Sequence, residues 1–150
     1  MEKIEIKVRC LSGNEDIPLP FYETVGSSGM DLRSAVEGDV VLSPGEIRLI
    51  PTGMAVSIPS GYEGQIRPRS GLSLKNGIGM VNSPGTIDSD YRGEIGIIAI
   101  NWGQKSFTIK RGDRIAQMVI TKVYRAEIIG VNDLDSTQRG EGGFGHSGVE

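Results

Sequence analysis

Glycine and proline interrupt this chain so often that few segments could form an ordinary helix. Of its 150 residues, 22 are Gly and 7 are Pro, and one long stretch, Asp113–Ile129, is free of both. Gly at roughly twice its usual ~7% points to tight turns or to backbone laid close against a ligand. Short apolar runs fill the gaps. Residues 3–10 alternate, with Ile4, Ile6, Val8 and Cys10 on one side and Lys3, Glu5, Lys7 and Arg9 on the other, which predicts a strand with one wet face. Val40–Leu42, Ile47–Ile50 and Met54–Ile58 read as strands joined by tight turns at Ser43-Pro44-Gly45 and Pro51-Thr52-Gly53. Ile95–Ile100 is apolar on both faces and should be a central strand. Ser106–Lys110 reads as another short one. Asp113–Ile129 is rich in β-branched residues, which favour a strand. The one candidate helix is short, near Leu72–Lys75.

About ten short strands argue for an all-β fold, a jelly-roll-like barrel or sandwich. From about Asp135 apolar residues thin out, so residues 1–136 form the expected β domain and 137–150 a Gly-rich C-terminal arm. No internal repeat is present.

Composition removes several function classes. With 16 Lys+Arg against 19 Asp+Glu, the net charge of -3 argues against nucleic-acid binding. No apolar run is long enough to span a membrane, and the start MEKIEIKVRC lacks the apolar core of a secretory signal, so a cytoplasmic protein is expected. One Cys and one His cannot form an internal disulfide or a structural zinc site, nor the ligand set of a zinc deaminase.

Five segments hold residue types suited to chemistry. Arg139-Gly140-Glu141-Gly142-Gly143-Phe144-Gly145-His146-Ser147-Gly148 approaches a phosphate loop, but the Lys is missing and no strand leads in. Its glycines still offer N–H groups, Arg139 a fork of donors, Ser147 a hydroxyl and Phe144 a ring able to cover a planar ligand; read alone, it is equally a Gly-rich linker. Val81–Gly93 contains Pro84-Gly85, a pattern for a type II turn at a hairpin tip. It also contains Asp88 and Asp90, two carboxylates that can bind a cation or serve as a base, or belong to an ordinary turn. Arg67–Ser73 opens the candidate helix, where Ser70 can act as the cap and Arg69 can hold an anion. Gly29–Arg33 places Asp31 and Arg33 in a strand, compatible with a surface ion pair. Arg111–Gln117 sets Gln117 among β-branched residues, where it needs a backbone or ligand partner. There is no G-x-S-x-G and His146 is the only histidine, which argues against a Ser-His-Asp hydrolase. Phosphate donors, an acidic pair and an aromatic lid together suit Mg²⁺-assisted chemistry on a nucleoside polyphosphate.

In order, Gly29-Met30-Asp31-Leu32-Arg33, Pro68-Arg69-Ser70-Gly71-Leu72, Gly85–Glu94, Arg111–Gln117 and Arg139–Gly148 resemble the five motifs of the trimeric all-β dUTPases, across nearly the whole chain. The resemblance implies a homotrimer with sites shared between subunits. It implies hydrolysis of dUTP to dUMP and diphosphate, which limits uracil entry into DNA and supplies dUMP for thymidylate synthesis. Asp88 would be the general base. Asn82, Thr86 and Ile87 would read the uracil edge, Tyr91 would pack against the sugar, and Gly96 would also touch substrate. Arg69, Ser70, Gly71 and Gln117 would hold phosphates. Arg139, Gly145 and Ser147 would clamp the far phosphate while Phe144 stacks on the base. Mg²⁺ would ride on the triphosphate and meet Asp31 through water. The resemblance assigns His146 no role. Two rivals remain at this stage: a dCTP deaminase of similar fold, which needs a different base where Asp88 and Tyr91 stand, and a β module that binds without turnover.

Overall fold

The computed structural model describes residues 3–146. Among them are ten strands and one helix: β1 Lys7–Cys10, β2 Gly29–Arg33, β3 Val40–Leu42, β4 Ile47–Ser57, β5 Tyr62–Pro68, α1 Ser70–Asn76, β6 Ile78–Met80, β7 Gly85–Ile87, β8 Glu94–Asn101, β9 Phe107–Ile109 and β10 Arg114–Lys122. Two four-stranded sheets have the orders β1-β4-β8-β6 and β2-β10-β5-β7, and β3 pairs with β9. Every pairing is antiparallel. The fold is all-β, as the density of breakers predicts.

Both large sheets feed one core. Ile50, Met54, Ile95 and Ile97 come from the first, and Leu32, Ile66 and Met118 from the second. Each fully buried Ile, Leu or Met contributes about 1.5–3 kcal/mol through water exclusion. Three buried polar side chains are each satisfied. Ser34 donates to the Lys110 carbonyl, Thr52 Oγ1 donates to the Ile95 carbonyl at 2.6 Å, and Asn101 Nδ2 donates to the Leu42 and Lys105 carbonyls at 2.8 Å each. The Asn101 amide thereby ties the β3 end to the β8–β9 turn.

The strand expectations hold in part. β8 does lie between two neighbours, but only Ile95, Ile97, Ala99 and Asn101 are buried; Ile98 and Ile100 are half-covered. Residues 3–10 alternate in exposure as expected, although ladder pairing covers only Lys7–Cys10. Pro51-Thr52-Gly53 is not a turn between strands. β4 runs straight through it as one strand, with a register shift against β8 between Pro51 and Ala55. Gly53 takes φ 69 there, with Asn14 packed where a β-carbon would stand, so the bulge requires glycine.

Two local readings near the site are corrected. The helix cap is Arg69, with no side-chain capping bond, and Ser70 is the first helical residue. Gly77, at φ 70, ends the helix, its N–H turned back onto the last turn. Pro84-Gly85 is not a type II turn, because that turn needs positive φ at Gly85 and Gly85 does not have it. Nor is this segment a hairpin tip: β6 pairs with β8 and β7 with β5, so residues 81–84 cross from one sheet to the other.

The strand expected over Asp113–Ile129 stops at Lys122, where the sheets end, and residues 123–129 have no ladder partner. Beyond Lys122, Tyr124, Ile128, Ile129, Val131 and Leu134 are exposed. The expected boundary at 136/137 falls within this segment outside the ladders. No helix among the described residues is long and apolar enough to cross a membrane.

Candidate active site

The helix α1, the strand β2 and the strand β10 border one open cavity of about 410 Å³. Asp31, Arg69, Ser70, Gly71, Leu72, Lys75, Asn76 and Gln117 line it. The sequence folds this way because Asp31 and Gln117 are cross-strand partners on β2 and β10, so their side chains share one face. β10 also pairs with β5, whose end at Pro68 delivers Arg69 and the helix start to the same place.

The cavity is governed by charge. Arg69 donates Nε–H to Asp31 Oδ1 at 2.9 Å, and Arg114 donates Nη1–H to Asp31 Oδ2 at 3.2 Å. Arg114 Nη1 also reaches Glu23 Oε1 at 3.1 Å, and Arg69 Nη1 donates to the Arg114 carbonyl at 3.2 Å. Thus one carboxylate serves two guanidinium groups, and Lys75 adds a third cation nearby. Asp31 does not pair with Arg33, which donates Nη1–H to the Gly112 carbonyl at 2.9 Å instead. Gln117 is half-buried and donates Nε2–H to the Pro68 carbonyl at 3.0 Å, which fills its need for a partner without any ligand.

Arg111, in the same motif as Gln117, faces away from the cavity. Its Nε and Nη2 donate to the two oxygens of Asp16 at 2.9 and 2.6 Å, and Nη2 also reaches the Gly13 carbonyl and Asn14 Oδ1. The hydrogen bond from Arg111 holds the Asp16 carboxyl below its usual range, and the same bond raises Arg111. This pair clamps the loop after β1.

The remaining expected residues stand elsewhere. Asn82, Thr86 and Asp88 are exposed and Ile87 is half-buried, all on or beside β7. Tyr91 is exposed and donates its hydroxyl to the Glu94 carbonyl at 3.0 Å. Gly96 lies on β8 beneath Leu49, where a side chain would collide with it. None of these six lines the cavity. Asp31 is on the edge strand β2 and Gln117 on its neighbour β10, whereas Thr86 and Ile87 are on β7 at the other edge of the same sheet.

In the arm, Arg139 donates Nε–H to the Gly142 carbonyl at 2.8 Å, and Gly140, Gly142 and His146 donate backbone N–H groups to arm carbonyls. Among the described residues, every hydrogen bond of 137–146 stays within the arm. Phe144 is fully exposed, and Gly145 takes φ 86. Ser147 lies outside the described residues.

Sequence reasoning gave no role to Lys75, Asn76, Arg114 or Glu23. The first two were within reach: Leu72, Lys75 and Asn76 follow the i, i+3, i+4 spacing of one helix face. Glu23 carried no local signal, since its link to Arg114 spans 91 residues.

A single carboxylate flanked by donors suits Mg²⁺ that arrives on a polyphosphate and keeps much of its water. Among the described residues there is no group of three or more His, Cys, Asp or Glu able to hold a metal.

Comparison with known proteins places this geometry in a family. The family model described as dUTPase matches residues 15–148. A deoxyuridine 5'-triphosphate nucleotidohydrolase of Caldanaerobacter subterraneus subsp. tengcongensis is 54% identical over 146 residues, covering 97% of this chain and 99% of that protein. The structure of the Staphylococcus bacteriophage 80alpha dUTPase with dUPNHPP is similar at TM-score 0.87 and 34% identity, covering 98% of this chain and 100% of that one. The dUTPase of phage phi11 of S. aureus, described for its coordination of a structural Mg(II) ion, is similar at TM-score 0.77 and 31% identity, covering 87% and 98%. With a family match across most of its length and a relative sharing more than half of its residues, the chain belongs to the dUTPase family.

Proposed function

We propose that this enzyme hydrolyses dUTP to dUMP and diphosphate with Mg²⁺, through water activated by Asp88. The observation that carries the reading is the cavity itself. Arg69, Ser70, Gly71 and Lys75 line one open space of about 410 Å³, and guanidinium, ammonium, hydroxyl and backbone N–H groups are the donors that phosphate oxygens accept from. Gln117 completes the phosphate contacts on the β10 side.

The water oxygen bonds to the α-phosphorus, its proton passes to the Asp88 carboxylate, and the bond from the α-phosphorus to the bridging oxygen breaks to release diphosphate. Bound Mg²⁺ supplies charge neutralisation on the phosphate oxygens, and Asp31 would hold it through water. Asn82 with the backbone of Thr86 and Ile87 reads the uracil edge, where a cytosine amino group would meet donors rather than acceptors. Tyr91 occupies the space of a ribose 2′-hydroxyl, and Gly96 adds a substrate contact. Arg139, Gly145 and Ser147 clamp the far phosphate, and Phe144 stacks on the base when the arm, residues 137–150, closes. The reaction limits uracil entry into DNA and supplies dUMP for thymidylate synthesis, in the cytoplasm and with no nucleic-acid or membrane partner.

The active unit in this reading is a homotrimer with shared sites. Two features support it. Asn82, Thr86, Ile87, Asp88, Tyr91 and Gly96 do not line the cavity of their own chain, so a neighbouring subunit would supply them to it. The outer face of β4 and β8 is also apolar, with the cross-strand pairs Ile47–Ile100 and Leu49–Ile98 only partly covered. Ile97, next to Ile98 on β8, points into the core instead. A three-subunit species in sedimentation is the expected result.

The deciding assay incubates the protein with Mg²⁺ and dUTP, dCTP, UTP or ATP in turn, and measures diphosphate, ammonia and phosphate. Diphosphate from dUTP alone is expected. Ammonia from dCTP would replace this reading with a deaminase, and no product from any nucleotide would leave only a binding module.

A further inference from the structure

We infer that Glu94, through its bond to the β4 bulge, is a positioning residue that sets Tyr91 for exclusion of ribonucleotides; the inference rests on the reading of Tyr91 as the wall beside the sugar. Tyr91 lies in the irregular segment between β7 and β8 and is 44% exposed. Two hydrogen bonds fix it: the Tyr91 N–H donates to the Asp88 carbonyl at 3.1 Å, and the Tyr91 hydroxyl donates to the Glu94 carbonyl at 3.0 Å. The ring folds back over Gly93, where any β-carbon would collide with its hydroxyl end. The Glu94 carbonyl is therefore the anchor point of the ring.

That anchor is held by the bulge across the sheet. Glu94 is the first residue of β8, opposite Ala55, where the ladder changes register. The shift takes the Gly53 N–H out of the regular ladder, and Glu94 Oε1 accepts it at 2.8 Å. One residue on, the buried Thr52 hydroxyl donates to the Ile95 carbonyl at 2.6 Å. The bulge is itself pinned, since the Gly53 carbonyl accepts from the Leu11 N–H at 2.8 Å and Asn14 packs on Gly53. A solvent-facing Glu at a strand start would ordinarily be free. Here its carboxylate is spent on the bulge, and its own carbonyl is thereby fixed for Tyr91.

The test compares kcat/KM for dUTP and UTP, both with Mg²⁺, in four variants. Glu94→Leu removes the acceptor and should lower the preference for dUTP about tenfold, the effect of one hydrogen bond. Glu94→Gln keeps an acceptor and should restore the preference to within about twofold of wild type. Tyr91→Phe breaks only the bond to the Glu94 carbonyl, leaves the bulge intact, and should also lose about tenfold, which keeps the inference testable if Glu94→Leu fails to fold. Tyr91→Ala should lose more than either. An unchanged preference in folded Glu94→Leu or in Tyr91→Phe, with Tyr91→Ala impaired, overturns the inference. An unchanged preference in Tyr91→Ala overturns the sugar-wall reading itself. A merely structural Glu94 would change both substrates equally and leave the ratio untouched.

Discussion

Arg69 and Asp31 face each other across the mouth of the cavity, Nε to Oδ1 at 2.9 Å, with both side chains mostly covered. Arg114 takes the second oxygen, so Asp31 is already engaged on both sides.

Asp31→Asn removes the charge while keeping the shape. Partly exposed pairs of this kind are worth about 0–1 kcal/mol, so thermal stability should change little. Half-saturating Mg²⁺ should rise about tenfold, because one carboxylate near a bound cation is the main protein charge it meets. A Mg²⁺ titration of dUTP turnover checks this; an unmoved midpoint removes Asp31 from the metal's surroundings.

Asp88→Asn should reduce kcat by about 10²–10⁴ with KM nearly unchanged, because a general base acts in the transition state. Steady-state kinetics at saturating Mg²⁺ decides it. An unaltered kcat refutes Asp88 as the base.

Truncation before Thr137 should leave a folded β domain with little turnover, since the arm makes no described hydrogen bond outside itself. Circular dichroism with the dUTP assay separates the two effects. If the shortened protein unfolds, the arm is structural and its role as a lid fails.

The Arg111–Asp16 pair predicts an acid limit. The Arg111 bond lowers the Asp16 carboxyl in the folded state, so the folded protein favours the ionised form. That contribution is present above the unfolded value of about 3.9 and disappears as pH falls through the lower folded value. Glu46 acts in the same direction, lowered by the Ser43 N–H and by Arg48. Melting curves from pH 7 to pH 3 should steepen downward below about pH 4 in wild type, and less in Asp16→Asn. Equal slopes in the two proteins would show that the pair adds nothing to stability.

Much of this architecture was legible because side-chain periodicity reports burial directly. Lys7–Cys10 of the alternating residues 3–10 and Arg114–Lys122 of the β-branched stretch Asp113–Ile129 became strands, and the short helix stood where Leu72–Lys75 marked it. What escaped depends on distant partners. Pro51-Thr52-Gly53 looks like a turn, yet it continues a strand because Thr52 and Gly53 find acceptors on Ile95 and Glu94. No local pattern encodes that. Likewise Asp31 sits two residues from Arg33 but pairs with Arg69 and Arg114, which folding brings to it. Motif resemblance named most of the candidate site but could not say that Asn82, Thr86, Ile87, Asp88, Tyr91 and Gly96 stay outside the cavity of their own chain.

The uncovered ribbon from Tyr124 to Leu134 has a consequence for how the protein is made. In the proposed trimer, a newly released subunit would carry these greasy side chains with no home in its own sheets and would stay adhesive until a mate arrives. Recovery after denaturation should therefore depend on collisions between subunits: dilution slows it, and crowding with unrelated unfolded chains diverts it into aggregates.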